Sequence, residues 1–294
     1  MNKLIDLKST VKVLAVIALI FTAFPKTGNA QNVFEDKLRV KLDSLRKEKE
    51  LSFFGDITLL PNNAVSSVMT PSGWGGGNTT YIYVVGGGIF PAQYKDPSTG
   101  DLIAAAGISF GDPKKWVNVS ASINVGRVDD FRDLSGNIIL SRQIFKASSI
   151  AVGGLQVLAS RSVSDAPDPT FYIAFSHAVQ SVHSKTGGRS ALGYTIGIGT
   201  GRFLYKSPLD VQTGKGKYGT GVFANVSYEL FKNVNLNAEW SGLNLGISSG
   251  IRPFKRSALT FGYGVYNLTK NSGDRISFIG SLAYPFVLDK TVKQ

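Results

Sequence analysis

Few side chains in this sequence are suited to acid–base or nucleophilic chemistry. The 294 residues include no cysteine and only two histidines, His177 and His183. Zinc sites built from several histidines or from thiolates are therefore excluded, and no disulfide can form. The adjacent carboxylates Asp129 and Asp130 lie in a predicted loop, where we interpret them as solvated. The sequence thus predicts no catalytic residue, no metal site and no cofactor, and we expect that the chain is not an enzyme.

One glycine motif raises the possibility of a phosphate site. Residues 214–219 read GKGKYG, which fits the pattern G-x-G-x-x-G. In nucleotide-binding proteins this pattern opens a helix, whose N-terminus receives the phosphate. Here it lies in a long loop and precedes a strand, so we do not expect it to bind phosphate.

The elements that must position any site are β-strands. Across residues 233–241, Val234, Leu236, Ala238 and Trp240 alternate with polar residues, which gives one apolar and one polar face. A period of two is the pattern of a strand. Twelve such segments occur, each near the ~9–11 residues that a tilted membrane strand needs. They are residues 79–88, 101–111, 116–128, 137–145, 148–158, 170–182, 191–203, 219–231, 233–241, 243–252, 258–269 and 275–286.

The connections between these strands are typical of outer-membrane barrels, in which long outer loops alternate with short periplasmic turns. Two links break the alternation, because 241–242 is tight and 183–190 is rather long. We therefore predict an all-β fold, an antiparallel up-and-down transmembrane β-barrel of about 12 strands with a short N-terminal amphipathic helix. The long polar links are 91–100, 129–136, 159–169 and 206–218.

The first 30 residues are predicted to be a signal peptide. Lysines precede a short apolar run at 13–23, and Gly28-Asn29-Ala30 supplies the small residues that a signal peptidase recognises. An N-terminal membrane anchor is the alternative, although the run is short for a spanning helix. The leader holds four lysines and one aspartate, so its removal changes the formal charge from +12 to +9. The predicted organisation is signal peptide 1–30, N-terminal helix and approach segment 31–77, barrel 78–286 and tail 287–294.

Residues 33–50 predict an amphipathic helix, because Phe34, Leu38, Leu42 and Leu45 recur at helical spacing among charges of both signs. We interpret it as a solvated periplasmic helix on the rim of the barrel. The alternatives are a helix that plugs the lumen and one that binds a periplasmic partner. Residues 61–77 follow and are predicted to form a loop from their proline and glycine content.

The polar strand faces predict the lining of the lumen, and aromatic residues near strand ends predict the membrane interfaces. Glu239 and Arg252 lie on adjacent strands and are expected either to join a charge ladder in the lumen or to be merely solvated. The candidates for the lumen are Asn118, Ser120, Ser122, Asn124, Asn225, Glu229, Asn235, Asn237, Glu239 and Arg252. The candidates for the interfaces are Trp116, Tyr228, Phe231, Trp240, Tyr284 and Phe286.

Four segments resemble a family of uncharacterised bacterial outer-membrane barrel proteins. They are TPSGWG (70–75), ISFGDPKKWVNV (108–119), IGIGTGRF (196–203) and AEWSGLNLGISSGIRPF (238–254). A C-terminal hairpin of this AEW…RPF form recurs in that family. The resemblance implies a barrel, and it implies no activity.

We therefore expect an outer-membrane β-barrel protein that acts as a narrow pore or as a structural or assembly component. The expected partners are membrane lipid, lipopolysaccharide and the barrel-assembly machinery. Nucleic acid is not expected, because the basic residues are scattered and form no stripe.

Two alternatives stay open. The first is a lipid-modifying barrel enzyme that uses His177, whose position in the alternation points it towards lipid. Its neighbour Ser176 points the other way, and Ser181 and Ser184 lack the His-x-Ser spacing by which outer-membrane lipid hydrolases resemble one another. The second is a secreted soluble β-protein that binds a surface glycan.

Overall fold

The computed structural model describes residues 58–92, 99–128, 132–159, 169–254, 257–269, 271–273 and 275–288. They belong to one compact unit that begins at Thr58. The predicted signal peptide, the predicted helix at 33–50 and the end of the tail lie outside the described residues. The part of the chain that the structure describes contains no helix long and apolar enough to cross a membrane.

Twelve antiparallel strands close into a barrel, which confirms the predicted fold class. Closure is made by β2 and β14, with Tyr81 opposite Val287 and Phe90 opposite Phe278. A single helical turn, η1 (Gly201–Phe203), and a short helix, α1 (Pro208–Gln212), lie in one loop. The strands are β1 (Leu60–Pro61), β2 (Tyr81–Phe90), β3 (Asp101–Gly111), β4 (Asn118–Arg127), β5 (Arg132–Phe145), β6 (Ser148–Val157), β7 (Thr170–Ala178), β8 (Arg189–Ser190), β9 (Leu192–Gly199), β10 (Val222–Phe231), β11 (Val234–Trp240), β12 (Leu245–Ile251), β13 (Thr260–Tyr266) and β14 (Ser277–Val287).

The alternation of side chains sets the polarity of the wall. Side chains on the outer face are mostly apolar and exposed, while those on the inner face are mostly polar and buried. In β11, for example, Leu236 is exposed on the outside, and Asn235, Asn237 and Glu239 are fully buried on the inside. A soluble protein shows the opposite arrangement, so this barrel is of the membrane-spanning type. Outward-facing apolar residues include Ile82, Val84, Leu102, Ile108, Ile123, Ile196, Ile198, Val226, Ile247, Phe278 and Leu282.

The two ends of the barrel differ. β2 begins and β14 ends at one of them, which we call the terminal rim; the other end, the loop rim, carries residues 200–221 and 267–276. The two links that break the alternation of lengths have structural reasons. Residues 179–191 at the terminal rim are long because they contain β8, which pairs in parallel with β1. The tight turn at 241–244 packs beneath the long loop 200–221, where Thr220 N–H donates to the carbonyl of Gly242 at 2.9 Å.

Candidate functional site

The lumen of the barrel is occupied by the chain itself. Residues 62–77, the luminal segment, enter from the terminal rim after β1 and leave at the same rim before β2. At the entry, Asn62 and Asn235 exchange two side-chain hydrogen bonds of 2.9 Å. Just before it, the backbone of Leu59 exchanges two hydrogen bonds of 2.9 Å with the Gln180 amide. The sequence predicted a loop here. Neither the alternation in the strands nor the composition of the segment indicated that this loop lies inside the barrel.

The Glu239 carboxylate is the main attachment point of the luminal segment. It is completely buried and accepts seven hydrogen bonds, five of them from the segment. Two further donors belong to the barrel wall, Ser248 Oγ at 2.5 Å and the Tyr266 hydroxyl at 2.6 Å. The donors of the segment are Ser67 Oγ (2.5 Å), Val68 N–H (3.0 Å), Met69 N–H (3.0 Å), Thr70 N–H (3.0 Å) and Thr70 Oγ1 (3.1 Å).

These bonds explain why a carboxylate is tolerated inside the barrel. A buried charge costs much free energy unless it is paired or fully hydrogen-bonded, and here every donor comes from a neutral group. The three consecutive backbone N–H groups at 68–70 supply fixed dipoles to one carboxylate. Glu239 therefore fixes both the position and the turn of the segment.

Neighbouring asparagines extend this attachment along β10 and β11. Asn225 Nδ2 donates to the Ser66 carbonyl at 2.7 Å, and Asn235 and Asn237 donate to the Val65 carbonyl at 3.3 and 3.4 Å. The first half of the segment is thus held mainly through its backbone, by side chains of the wall.

The second half of the segment contacts β7 and then β4, which lies opposite β11 in the strand order of the barrel. Ser176 Oγ on β7 accepts from Gly73 N–H at 2.8 Å and lies 3.3 Å from Ser72 Oγ. Asn118 Oδ1 on β4 accepts from Gly76 N–H at 3.1 Å. The segment therefore runs up one wall to Glu239 and down another to the terminal rim.

Glycines make this close approach possible on both sides. An ideal Cβ at Gly250 in β12 would lie 2.0 Å from the Val65 carbonyl oxygen, and one at Gly73 would lie 2.6 Å from the Ser149 carbonyl oxygen. At Gly262 in β13 a Cβ would lie 2.8 Å from Val68 Cγ2. Real Cβ atoms do not approach this closely, so each position needs a glycine while the segment is seated.

A second cluster fills the lumen at the loop rim. Phe203, which ends η1, is buried with its ring centroid 4.4 Å from Phe223 and 6.4 Å from Tyr172. Gly197 and Gly199 in β9 leave the space for these rings, because a Cβ at either would meet a ring atom at 2.2 or 2.6 Å. The loop 200–221 thereby folds over one side of the barrel mouth.

Asp210 of α1 joins this loop to the neighbouring loop 267–276. Its carboxylate accepts from Ser272 Oγ at 2.6 Å and Gly273 N–H at 2.7 Å, and lies 3.5 Å from Lys215 Nζ. Burial alone would raise the pKa of Asp210, but the hydrogen bonds from Ser272, Gly273 and Ser207 and the charge of Lys215 outweigh it. The pKa of Asp210 therefore lies below its ordinary value.

The structure distributes the predicted lumen residues over three roles. Asn118, Asn225, Asn235, Asn237 and Glu239 hold or adjoin the luminal segment. Ser120 pairs with Tyr83, and Ser122 and Asn124 bond to Asn137 within the wall. Glu229 lies at the terminal rim, where it accepts from the backbone N–H groups of Lys185 and Asn233.

Neither alternative predicted for Glu239 is correct, because it forms no charge ladder with Arg252 and it is buried, not solvated. Residue 246, and not 252, lies opposite Glu239 in the β11–β12 register, and Arg252 follows β12 at the terminal rim. Its guanidinium Nε donates to the Ser257 carbonyl at 3.3 Å. Burial, together with the nearby charge of Arg252, lowers the pKa of Arg189 at the same rim. The two arginines thus belong to the mouth of the barrel, and neutral donors satisfy Glu239.

The predicted interface aromatics lie near the ends of the barrel. Trp116, Tyr228, Phe231, Tyr284 and Phe286 are placed towards the terminal rim, and Trp240 towards the loop rim. The Trp240 indole N–H donates to Thr220 Oγ1 at 3.3 Å. Their role as girdles in the membrane interface stays a prediction.

His177 lies on the outer face of β7 and contacts a serine that the sequence did not single out. Its Nδ1 lies 2.8 Å from Ser148 Oγ, the opposite residue on β6. The ring of Tyr194 packs beside it with centroids 5.5 Å apart. Ser176 points into the lumen, as its position in the alternation predicted. Only the register of two strands reveals the Ser148 partner, because the two residues are 29 positions apart.

Within the described residues no cluster of three or more His, Cys, Asp or Glu side chains could hold a metal ion.

No protein-family model and no curated protein matches the sequence. Some solved structures are similar to this chain. A KdgM porin in complex with disordered oligogalacturonate is 12% identical, covers 70% of this chain and 99% of its own, and gives a TM-score of 0.41. A second KdgM porin structure is 13% identical, with the same coverage and a TM-score of 0.40. Outer membrane phospholipase A from Escherichia coli is 10% identical, covers 70% of this chain and 89% of its own, and gives a TM-score of 0.36.

Proposed function

We propose that this protein is a narrow pore of the bacterial outer membrane. The observation that carries the proposal is the polarity of the closed barrel, which is apolar outside and lined inside by Asn, Ser and Glu side chains. A wall of twelve strands surrounds a small lumen, and here the luminal segment and Phe203 narrow it further. The terminal rim would then face the periplasm, since both termini of the barrel lie there.

The proposed partners follow from this placement. Lipid and lipopolysaccharide would surround the apolar outer face, and the barrel-assembly machinery would insert it. The predicted signal peptide would direct export, and the predicted helix at 33–50 would lie on the periplasmic side, free to meet a partner there.

Membrane fractionation and bilayer recording test the pore. The detergent-extracted protein should migrate faster on a denaturing gel when unboiled, because a closed barrel resists the detergent. In planar bilayers we expect discrete, small openings from the wild type or from the Glu239→Gln variant, in which the main attachment of the luminal segment is broken. Silence of both folded proteins would reject the pore and leave a structural or assembly role.

A second candidate function is hydrolysis of a lipid ester at Ser148 and His177. The observation that favours it is their 2.8 Å hydrogen bond on the lipid-facing side. In such a reaction Ser148 Oγ would attack the acyl carbonyl while His177 Nδ1 accepts its proton, and the ester bond would break as His177 passes that proton to the departing alcohol. Water would then hydrolyse the acyl-serine and release the fatty acid. Against it, Ser148 is only 5% exposed, and among the described residues none forms a hydrogen bond that orients the other ring nitrogen of His177.

The same bond has a simpler explanation. It satisfies one nitrogen of a histidine that faces lipid, where an unpaired polar group is costly. A phospholipase assay on wild type, Ser148→Ala and His177→Ala decides between these explanations. Activity that both variants lose would establish the hydrolase, and equal activity in all three would leave the structural bond.

A further inference from the structure

We infer that residues 62–77 are a gate, and that the pore conducts when this segment leaves its seat on the Glu239 wall. The inference rests on the proposed pore and adds how that pore is closed. Both ends of the segment are fixed at the terminal rim, through β1 on one side and the start of β2 on the other. The segment therefore moves as a tethered loop, and it swings out towards the terminal rim.

The way the segment is attached distinguishes it from a permanent filling. It makes no strand pairing with the barrel between Asn62 and Gly77, and its bonds to the wall are made by side chains such as Glu239, Asn225 and Ser176. Most of its residues are only half-buried; just Ala64, Thr70 and Gly73 are buried. Segments with little buried apolar surface are those that open locally while the rest of a protein stays folded.

The seat itself is specific, which is what a two-state element requires. Glu239 collects five donors of the segment at one point, and Gly250 and Gly262 form the floor beneath Val65 and Val68. When the segment leaves, water in the lumen can take over the released donors and the carboxylate. The exchange of protein bonds for water bonds keeps the free-energy difference between the two states modest.

A disulfide across the seat tests the gate directly. Ser72 and Ser176 have their Oγ atoms 3.3 Å apart, so cysteines at these positions are within reach of a bond. The natural chain has no cysteine, so the Ser72→Cys/Ser176→Cys variant forms a single defined crosslink. A matched control is Asn124→Cys/Ser135→Cys, a facing pair of β4 and β5 within the wall, away from the segment.

Both double variants are purified as heat-modifiable barrels, and crosslinking is verified by the loss of maleimide-reactive thiols. We expect the oxidised Ser72–Ser176 variant to lose its openings in planar bilayers and to regain them with reductant. The control pair should conduct equally in both redox states. The comparison is repeated in a Glu239→Gln background, which supplies openings if the wild-type segment rarely leaves its seat.

The other possible results overturn either the gate or the pore. Equal conductance of the oxidised and reduced Ser72–Ser176 variants would overturn the gate and leave the pore intact. Failure of that pair to crosslink, while the control pair does so, would show that the segment is not seated as described and would also overturn the gate. Silence of every variant, including the control and the Glu239→Gln background, would overturn the proposed pore itself.

Discussion

The backbone N–H of Thr70 donates to Glu239 Oε2 at 3.0 Å, which joins two parts of the chain that are 169 residues apart in sequence. Thr70 begins the segment TPSGWG and Glu239 belongs to AEWSG, two of the motifs on which the resemblance to outer-membrane barrels rests. Their contact gives these motifs a shared physical role, the attachment of the luminal segment to the barrel wall. Predictions about Glu239 and its neighbours therefore concern conductance more than the assembly of the barrel.

Glu239→Gln should release the luminal segment without unfolding the barrel. The amide is uncharged and keeps only one acceptor oxygen. Donors at the position taken by its NH2 group, Val68 on the Oε1 side or Met69 on the Oε2 side, therefore lose their bonds. Hydrogen bonds to a charged group contribute about 1.5–3 kcal/mol each, so we expect the seated state to lose about 3 kcal/mol of stabilisation. That corresponds to about a 100-fold shift towards the unseated state.

Open probability in planar bilayers measures this shift. The matched control is Glu229→Gln, since Glu229 also accepts two backbone N–H bonds but lies at the terminal rim. The control should conduct as the wild type does. An equal rise in both variants would show that the effect is general loosening and not release at Glu239.

Gly250→Ala should displace the segment by steric conflict. The new Cβ would lie 2.0 Å from the Val65 carbonyl oxygen, a backbone atom that can yield only if the segment moves. The backbone of the strand accepts alanine at this position, because Gly250 does not have a positive φ. Gly280→Ala is the control, since no atom lies within 4 Å of its Cβ position on the outer face of β14.

The readout is the rate at which a cysteine introduced at Ser72 reacts with a maleimide added to the folded protein. It should increase in Gly250→Ala and stay unchanged in Gly280→Ala. Unchanged labelling in both would mean that the wall can absorb the methyl group, and the seat would be looser than the distances indicate.

The alternation along the strands was sufficient to predict the barrel, because each side of the wall meets a different solvent. The existence of twelve strands, and the inward direction of residues such as Asn235 and Asn237, follow from that pattern. Two bounds were wrong, because β5 begins at Arg132 inside the predicted link 129–136, and the predicted strand 191–203 ends at Gly199. The luminal segment could not be predicted in the same way. Its bonds to Glu239 come largely from backbone N–H groups, and these are the same for every residue type.

Two groups of glycines in the sequence were nevertheless related to the packing of the lumen. Glycines recur at Gly73, Gly75 and Gly76 in the segment and at Gly197 and Gly199 in β9, where close approach or a packed ring excludes a Cβ. The positions were visible, but their partners were not, because contacts between distant parts of a chain leave no periodicity. The same reason explains the wrong pairing of Glu239 with Arg252, which assumed that opposite charges on adjacent strands would meet.

Phe203→Ala should destabilise the loop rim. Phe203 is 1% exposed and its ring packs on Phe223 and Tyr172, so truncation leaves a cavity. Removal of a buried phenylalanine typically lowers the free energy of unfolding by about 3–5 kcal/mol. Denaturant unfolding in detergent measures the change. Phe254→Ala, at an exposed position, should shift it by less than about 0.5 kcal/mol, and a similar loss in both would argue against a packed cluster.

Asp210 should make the closure of the loop rim dependent on pH. Its folded pKa lies below the ordinary value of 3.8, so its ionised form stabilises the loop fully above about pH 4. That stabilisation is lost as the pH falls through the lower, folded pKa.

At pH 7, Asp210→Asn should mimic the acid form, because it removes the charge that Lys215 contacts at 3.5 Å. Hydrogen exchange of backbone amides in residues 207–217 should then be faster than in the wild type. Asp112→Asn, in an exposed turn at the opposite rim, should leave this exchange unchanged; if Asp210→Asn also left it unchanged, the carboxylate would not be what joins the two loops.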